Sequence, residues 1–130
     1  VRSAEPVTVE FEYQLDAPVT GLRVGFYLST MRGEYVLTSF DTDAPNLFEK
    51  FDSRKAGRYI SRAEIPADIF NEGRYSIGVN ASSFGVRRYF MDENAIAFNV
   101  DITGAPGTQW PEPRVGPVRP RLNWVIEKLD

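Results

Sequence analysis

Four stretches of the chain alternate apolar and polar residues with a period of two, and this pattern constrains the fold more than any other feature. These stretches are 7–13, 22–28, 74–81 and 96–102. Because successive side chains of a β-strand point to opposite faces, each stretch predicts a strand with one apolar face. Shorter strands are expected at 35–41, 58–65 and 86–91.

Turn-forming residues separate the predicted strands. Gly, Pro, Asn or Asp occur at 16–18, 32–34, 55–57 and 71–73,. Several short strands with one apolar face each predict an all-β chain, folded as an antiparallel β-sandwich of two sheets. One short connecting helix is expected at 65–71, because Pro66 suits a first helical turn and Asn71 or Gly73 suits its end.

The last part of the chain differs in composition from the rest. Residues 104–120 are rich in Pro and Gly, which do not sustain a strand ladder,. Within one domain spanning 1–130, we therefore expect a sandwich body at 1–103, an arm at 104–120 and a final strand at 121–127. Leu122, Trp124 and Ile126 alternate in that strand. It is either exchanged with a second copy, which makes these three residues dimerisation contacts, or folded back on its own sheet.

Composition excludes several classes of function. The chain has no Cys and no His, which removes Ser-His-Asp and Cys-His catalysis and both thiolate and imidazole metal sites,. Fifteen Lys and Arg against 18 Asp and Glu leave a net charge of −3, whereas nucleic-acid surfaces carry a basic excess,. No phosphate-binding loop motif occurs. We therefore expect a binding domain rather than an enzyme, with no cofactor and no metal.

Carboxylates are the remaining candidates for acid–base chemistry. They are Asp41, Asp43, Asp92 and Glu93. Paired carboxylates hydrolyse glycosides, and an Asp-x-Asp pair is a weak calcium signal. Because these residues fall at predicted turns, where acidic residues are common, turn formation is the favoured interpretation.

Polar and aromatic residues on the outward strand faces indicate a binding surface. Tyr27 lies beside Gly25 on one strand, and Gly78 and Asn80 face outward on another. Glycines there lower the floor of a sheet, and Tyr, Asn and Arg around such a groove suit a hydroxyl-rich ligand. The predicted contacts are Tyr27, Asn80, Arg23, Arg88 and Tyr89. The alternative is an ordinary exposed tyrosine and a solvated edge strand.

Several segments together resemble a known family. They are 35–43, 57–61, 65–75, 114–120 and 122–124. In this order they look like the C-terminal carbohydrate-binding domain of Wzt, the ATP-binding subunit of O-antigen polysaccharide ABC transporters.

The resemblance implies an immunoglobulin-like sandwich attached to a nucleotide-binding domain in a longer chain. It also implies recognition of O-antigen polysaccharide, often at a modified non-reducing end, before export. The implied setting is cytoplasmic, in a homodimer at the inner-membrane face, with the transporter's membrane subunit as a partner. A protein-interaction or structural sandwich without a glycan ligand is the alternative function, because fold alone does not determine function.

Overall fold

A computed structural model describes residues 1–83 and 87–129, and for residues 87–94 it describes the backbone alone. The strands and the helix are β1 (Val7–Leu15), β2 (Val19–Thr20), β3 (Leu22–Thr30), β4 (Tyr35–Phe40), α1 (Pro45–Phe51), β5 (Ser53–Arg54), β6 (Gly57–Ile65), β7 (Gly73–Ser83) and β8 (Arg87–Val100). A short 3₁₀ turn at Asp41–Asp43 connects β4 to α1.

Two antiparallel sheets form the body of the domain. The large sheet has the strand order β4-β3-β7-β8, the small sheet consists of β1 and β6, and β2 pairs with β5. The two sheets bury a common core. In it the Phe11 ring of β1 stacks on the Phe26 ring of β3, with 6.1 Å between the ring centroids. The buried core consists of residues from both sheets and of Phe70 from the segment between β6 and β7: Val9, Phe26, Leu28, Ile65, Phe70, Tyr75, Ile77 and Val100. The predicted all-β antiparallel sandwich is confirmed.

Alternation located most strands correctly, and the apolar row of β3 is buried as expected. The prediction of two strands at 86–91 and 96–102 was wrong, because one strand, β8, runs from Arg87 to Val100. Val86 lies outside the described residues, and Ile102 lies beyond the end of β8. The polar residues at 92–94 suggested a turn between two strands. In the structure they lie within β8, whose pairing with β7 shifts in register there.

The short helix is not where the sequence predicted it. Residues 65–71 form no helix, and Asp68 has a left-handed φ of 64° that interrupts helical geometry,. The segment's backbone groups bond elsewhere: the Asp68 N–H donates to the Ser3 carbonyl at 2.7 Å, and the Ile69 carbonyl accepts from the Arg119 N–H at 2.8 Å. The helix observed is α1, which begins at a proline in its first turn,.

The arm lies against the body, but residues 122–129, which we call the tail, do not. The arm forms a bridge between Val118 and Phe70. Residues 121–129 form no strand, and Trp124 and Ile126 are 84% and 95% exposed. The fold-back arrangement is therefore absent from this chain, and exchange with a second copy stays a prediction.

A buried arginine connects the two sheets at the end where α1 lies. Arg54 is only 4% exposed. Its Nε donates to the Phe51 carbonyl at 2.9 Å, its Nη1 donates to the Tyr13 hydroxyl, and its Nη2 donates to the Leu22 carbonyl at 3.2 Å. Nη2 also lies 3.0 and 3.1 Å from the two carboxylate oxygens of Asp41. One side chain thus bonds to α1, β1, β3 and the 3₁₀ turn.

The Asp41 carboxylate completes this network. Its Oδ1 accepts from the Val24 N–H at 3.1 Å, and its Oδ2 accepts from the Ser61 hydroxyl at 2.9 Å. Both oxygens therefore have a second donor besides Arg54. A buried charge that is paired and fully hydrogen-bonded is tolerated, whereas an unpaired one is costly.

Asp41→Ala should lower the free energy of unfolding by about 3 kcal/mol, because it leaves the Arg54 guanidinium buried without its counter-charge. Urea unfolding followed by circular dichroism measures this. The matched control is Glu12→Ala, which removes an exposed pair with Arg58 and should cost less than ~1 kcal/mol,. Equal losses in the two variants would contradict a structural role for the buried pair.

Candidate functional site

The outward face of the large sheet contains three of the predicted contacts. Arg23, Gly25 and Tyr27 of β3 lie opposite Ser82, Asn80 and Gly78 of β7, respectively. Because residues directly opposite each other in an antiparallel pair share a face, Arg23, Tyr27 and Asn80 lie on one surface, as the sequence predicted.

Tyr27 is the middle member of a row of three aromatic rings on this face. Its ring centroid lies 5.9 Å from that of Tyr35 and 6.4 Å from that of Phe40. The Arg23 guanidinium lies 4.2 Å from the centre of the Phe40 ring, within cation–π range,. Tyr35 is 69% exposed, while Tyr27 and Phe40 are half-buried. We call Tyr35, Tyr27 and Phe40 the aromatic row.

A β-bulge in β4 brings two of these rings to the same face. Leu37 pairs with Leu28, but the next pair joins Tyr35 to Ser29, so Val36 is an extra residue,. Tyr35 and Phe40 are an odd number of positions apart and would face opposite ways in a regular strand. The bulge also lets Val36 and Leu37 both pack against the core.

Sequence analysis missed Tyr35 and Phe40 as members of the site. The sequence did contain a sign of the bulge: in β4, two adjacent apolar residues are followed by two polar ones. Such a break in alternation is typical of a bulge. It gives no indication of which aromatic rings meet, because that depends on the partner strand.

Gly25 does not form the open groove floor that the sequence suggested. A Cβ atom at this position would lie 2.1 Å from the Ser39 carbonyl oxygen and 2.7 Å from the Phe40 ring. The space above Gly25 is therefore filled by β4 and its aromatic ring. The glycine is needed for the close approach of two strands rather than for access to a ligand.

The other predicted contacts are less accessible or outside the description. Asn80 is 5% exposed, and its Oδ1 has no hydrogen-bond partner among the described residues. A buried acceptor of this kind is costly unless water or a ligand hydroxyl supplies a donor. The side chains of Arg88 and Tyr89 lie outside the described residues, so their role stays a prediction.

A second surface lies on the inner side of the sandwich. Among the described strands β1 pairs with β6 alone, so its other edge presents unpaired backbone groups,. Beside that edge a cleft of about 840 Å³ is lined mostly by apolar residues of both sheets, among them Phe11, Leu15, Val24 and Val79, together with the acidic residues Glu10, Glu12 and Asp16. The small sheet has two strands where the large sheet has four. The cleft is thus the place where a further strand would complete the sandwich.

The two acidic candidates in the described part of the chain have different structural roles. The Asp43 Oδ2 accepts from the Phe40 N–H at 3.0 Å, as expected of a turn residue. Asp41 lies in the same turn, but its carboxylate pairs with the buried Arg54 and joins the two sheets, which the sequence did not predict. The side chains of Asp92 and Glu93 lie outside the described residues. Among the described residues, no group of three or more His, Cys, Asp or Glu side chains is arranged so that it could hold a metal ion. In the same part of the chain, no helix has the length and apolar character needed to cross a membrane.

Two comparisons identify proteins that this chain resembles. The family model described as the Wzt C-terminal domain matches residues 1–110. A solved structure described as the crystal structure of the C-terminal domain of wzt is similar with a TM-score of 0.66 at 10% identity. That similarity covers 98% of this chain and 73% of the other, and at such low identity it shows the fold alone. No curated protein matches the sequence.

These findings confirm the family resemblance drawn from the sequence. The family match ends at residue 110, so the segments 114–120 and 122–124 lie outside it. The structural similarity extends over nearly the whole chain.

Gly25→Ala should lower the free energy of unfolding by about 1–3 kcal/mol, because the added methyl group overlaps β4 and forces Phe40 away from β3,. Thermal and urea unfolding measure the loss. Thr38→Ala, an exposed change on β4, is the control and should stay within ~0.5 kcal/mol,. A Gly25→Ala protein as stable as the parent would contradict the close approach of the two strands.

Proposed function

The chain belongs to the Wzt C-terminal domain family, and we propose that it binds O-antigen polysaccharide for export by an ABC transporter. Membership supports a role in an O-antigen ABC transporter, in which domains of this family are non-catalytic parts of the ATPase subunit. Recognition of the glycan is our proposal. It rests on one observation above all, the aromatic row on the outward face of the large sheet.

The aromatic row suits a saccharide because sugar rings present C–H groups that pack on aromatic faces. Three rings follow one another across this face, with centroids 5.9 and 6.4 Å apart and with the Tyr27 ring tilted by 58° to Tyr35 and by 84° to Phe40. A sugar unit that packs on the face of the exposed Tyr35 ring would therefore meet the tilted Tyr27 ring beside it. An apolar ligand of similar size would gain from the rings but not from the polar groups beside them.

Hydrogen-bonding groups flank the row on the same face. The Ser29 hydroxyl lies 3.0 Å from that of Ser76, and Thr38 is exposed opposite Tyr27. At the Phe40 end lies the Arg23 guanidinium, and guanidinium groups are planar and match pairs of hydroxyl or carboxylate oxygens,. Stacking on rings combined with directed hydrogen bonds from their border is the chemistry by which proteins hold neutral sugars.

We further propose that the protein is a homodimer formed by exchange of the tail. Leu122, Trp124 and Ile126 project from the body into solvent. Leaving side chains of this kind in water forgoes about 1.5–3 kcal/mol each relative to burial. The free edge of β1 and the apolar cleft beside it offer backbone partners and an apolar surface in a second copy.

Dimerisation would serve glycan binding directly. An open face with a few stacking positions binds a sugar weakly, since only a small part of the ligand is enclosed. Two such faces in one dimer raise the apparent affinity for a long polymer through effective concentration. The remaining proposed partners are the nucleotide-binding domain of the same parent chain and the transporter's membrane subunit, at the cytoplasmic face of the inner membrane.

Tyr27→Ala should weaken binding of the O-polysaccharide from the source strain about tenfold or more, a loss of ~1.4 kcal/mol, because it removes the central ring of the row. Isothermal titration calorimetry measures the affinity, and a melting curve checks that the variant remains folded, since the half-buried Tyr27 ring also packs against Tyr35 and Phe40. Trp110→Ala is the control, since Trp110 is an aromatic residue of similar exposure to Tyr35 and lies in the arm.

Two results would count against this site. Unchanged affinity in a Tyr27→Ala/Tyr35→Ala double variant would remove the aromatic row from the binding surface. No binding of the parent protein to its cognate polysaccharide would favour the protein-interaction module instead.

Trp124→Asp/Ile126→Asp should convert the dimer to monomers, because two carboxylates cannot enter an apolar cleft without a large desolvation cost. Light scattering coupled to size-exclusion chromatography gives the mass. Val115→Asp, at a fully exposed position of the arm, is the matched control and should remain dimeric. A monomeric parent protein, or a dimer unaffected by both tail substitutions, would overturn the exchange.

A further inference from the structure

Asn71 donates three hydrogen bonds that hold the arm, residues 104–120, against the body. Its Nδ2 donates to the carbonyl of Arg114 at 2.8 Å and to that of Gly116 at 2.7 Å. Its backbone N–H donates to the Pro117 carbonyl at 3.0 Å. Asn71 itself is 3% exposed, so these bonds form away from solvent.

Two further buried side chains secure the same stretch of arm. The Tyr75 hydroxyl lies 2.9 Å from the Asn71 carbonyl and 2.8 Å from the Pro117 carbonyl, and the two carbonyls share its single proton,. Burial raises the pKa of the Tyr75 phenol above its ordinary value, so the group keeps its proton,. The buried Arg119 donates from its backbone N–H to Ile69 at 2.8 Å and from its Nε to Pro106 at 3.0 Å. We call Asn71, Tyr75 and Arg119 the arm clasp.

We propose that the arm clasp determines whether the tail binds a second copy or its own body. The clasp holds the arm up to Arg119, and Arg121 then pairs with Asp68 at 3.1 Å, just beyond the end of β6. The apolar tail begins at the next residue, Leu122. It therefore starts beside a point at which the chain is held to its own body, rather than at the end of a flexible arm.

The effect of releasing the clasp follows from chain length. Ala105 is buried, so a released arm would become a flexible connection of about 16 residues, from Pro106 to Arg121. Such a chain has a root-mean-square span of roughly 22 Å. A domain of this length has an expected radius of gyration of ~14 Å, so the released arm spans a distance of the same order as the size of the body. The tail would then reach its own β1 edge, and this intramolecular contact would outcompete exchange at ordinary protein concentrations.

This inference depends on the proposed dimer and adds to it the reason why the exchange is intermolecular. It assigns Asn71 a positioning role that goes beyond its contribution to stability. A merely structural role would lower the melting temperature without altering the partner that the tail selects.

Two variants test the proposal in different ways. Asn71→Ala removes the bonds to Arg114 and Gly116, and it also weakens the body. Insertion of a ten-residue Gly-Ser linker between Pro120 and Arg121 leaves the clasp intact and lengthens the connection to the tail by ten flexible residues. This variant stays informative if Asn71→Ala does not fold. Glu72→Ala, at the exposed neighbouring position, is the matched control.

For each variant, the mass of the particle in solution and the burial of the tail are measured on the same sample. Trp110 and Trp124 are the two tryptophans of the chain, so a Trp110→Phe background makes Trp124 fluorescence a probe of the tail. The parent and Glu72→Ala should be dimers with Trp124 shielded from acrylamide. The linker insertion, and Asn71→Ala where it folds, should raise the dimer dissociation constant at least tenfold and give monomers in which Trp124 remains shielded.

Each other outcome has a distinct meaning. Both variants remaining dimeric with an unchanged dissociation constant would overturn the role of the clasp and leave the dimer intact. Monomeric variants with Trp124 exposed would also overturn it, since the tail would not have found its own body. A monomeric parent with exposed Trp124 would overturn the proposed dimer itself.

Discussion

The buried pair of Arg54 and Asp41 is the interaction on which the proposed site most depends. It joins the two sheets where β4 ends, because Asp41 follows Phe40 directly and is bonded to Arg54, β3 and β6. With Asp41 fixed, the Phe40 ring lies over Gly25 and against Tyr27. The position of the Phe40 ring in the aromatic row thus depends on an ion pair that lies outside the row.

The two sheets of the sandwich differ in their number of strands, and this difference connects the fold with the proposed dimer. Two strands of the small sheet cover a large sheet of four, which leaves an apolar cleft and a free strand edge beside β1. The tail of the same chain carries five exposed apolar residues, Leu122, Trp124, Val125, Ile126 and Leu129. The cleft and these side chains are complementary in character, and we propose that the arm clasp keeps them apart within one copy.

Local pattern was enough to predict the sheets, because burial of one strand face imposes an alternation that each segment shows by itself. It identified β1, β3 and β7 and placed Arg23, Tyr27 and Asn80 on one surface. The helix expected at 65–71 failed because its backbone bonds to Ser3 and Arg119, which are distant in sequence. Tyr35 and Phe40 were missed because the bulge at Val36 reverses the facing of the strand. Both errors come from contacts between segments, which no local pattern contains.

The central claim is that the outward face of the large sheet holds the polysaccharide. The most direct measurement is a titration of the ¹⁵N-labelled protein with short oligosaccharides of the cognate O-antigen, followed by amide chemical shifts. The largest shifts should fall on Arg23, Tyr27, Thr38 and Phe40, with smaller ones along the facing part of β7. Shifts confined to β1 and the cleft beside it, or no shifts at saturating sugar, would contradict the claim.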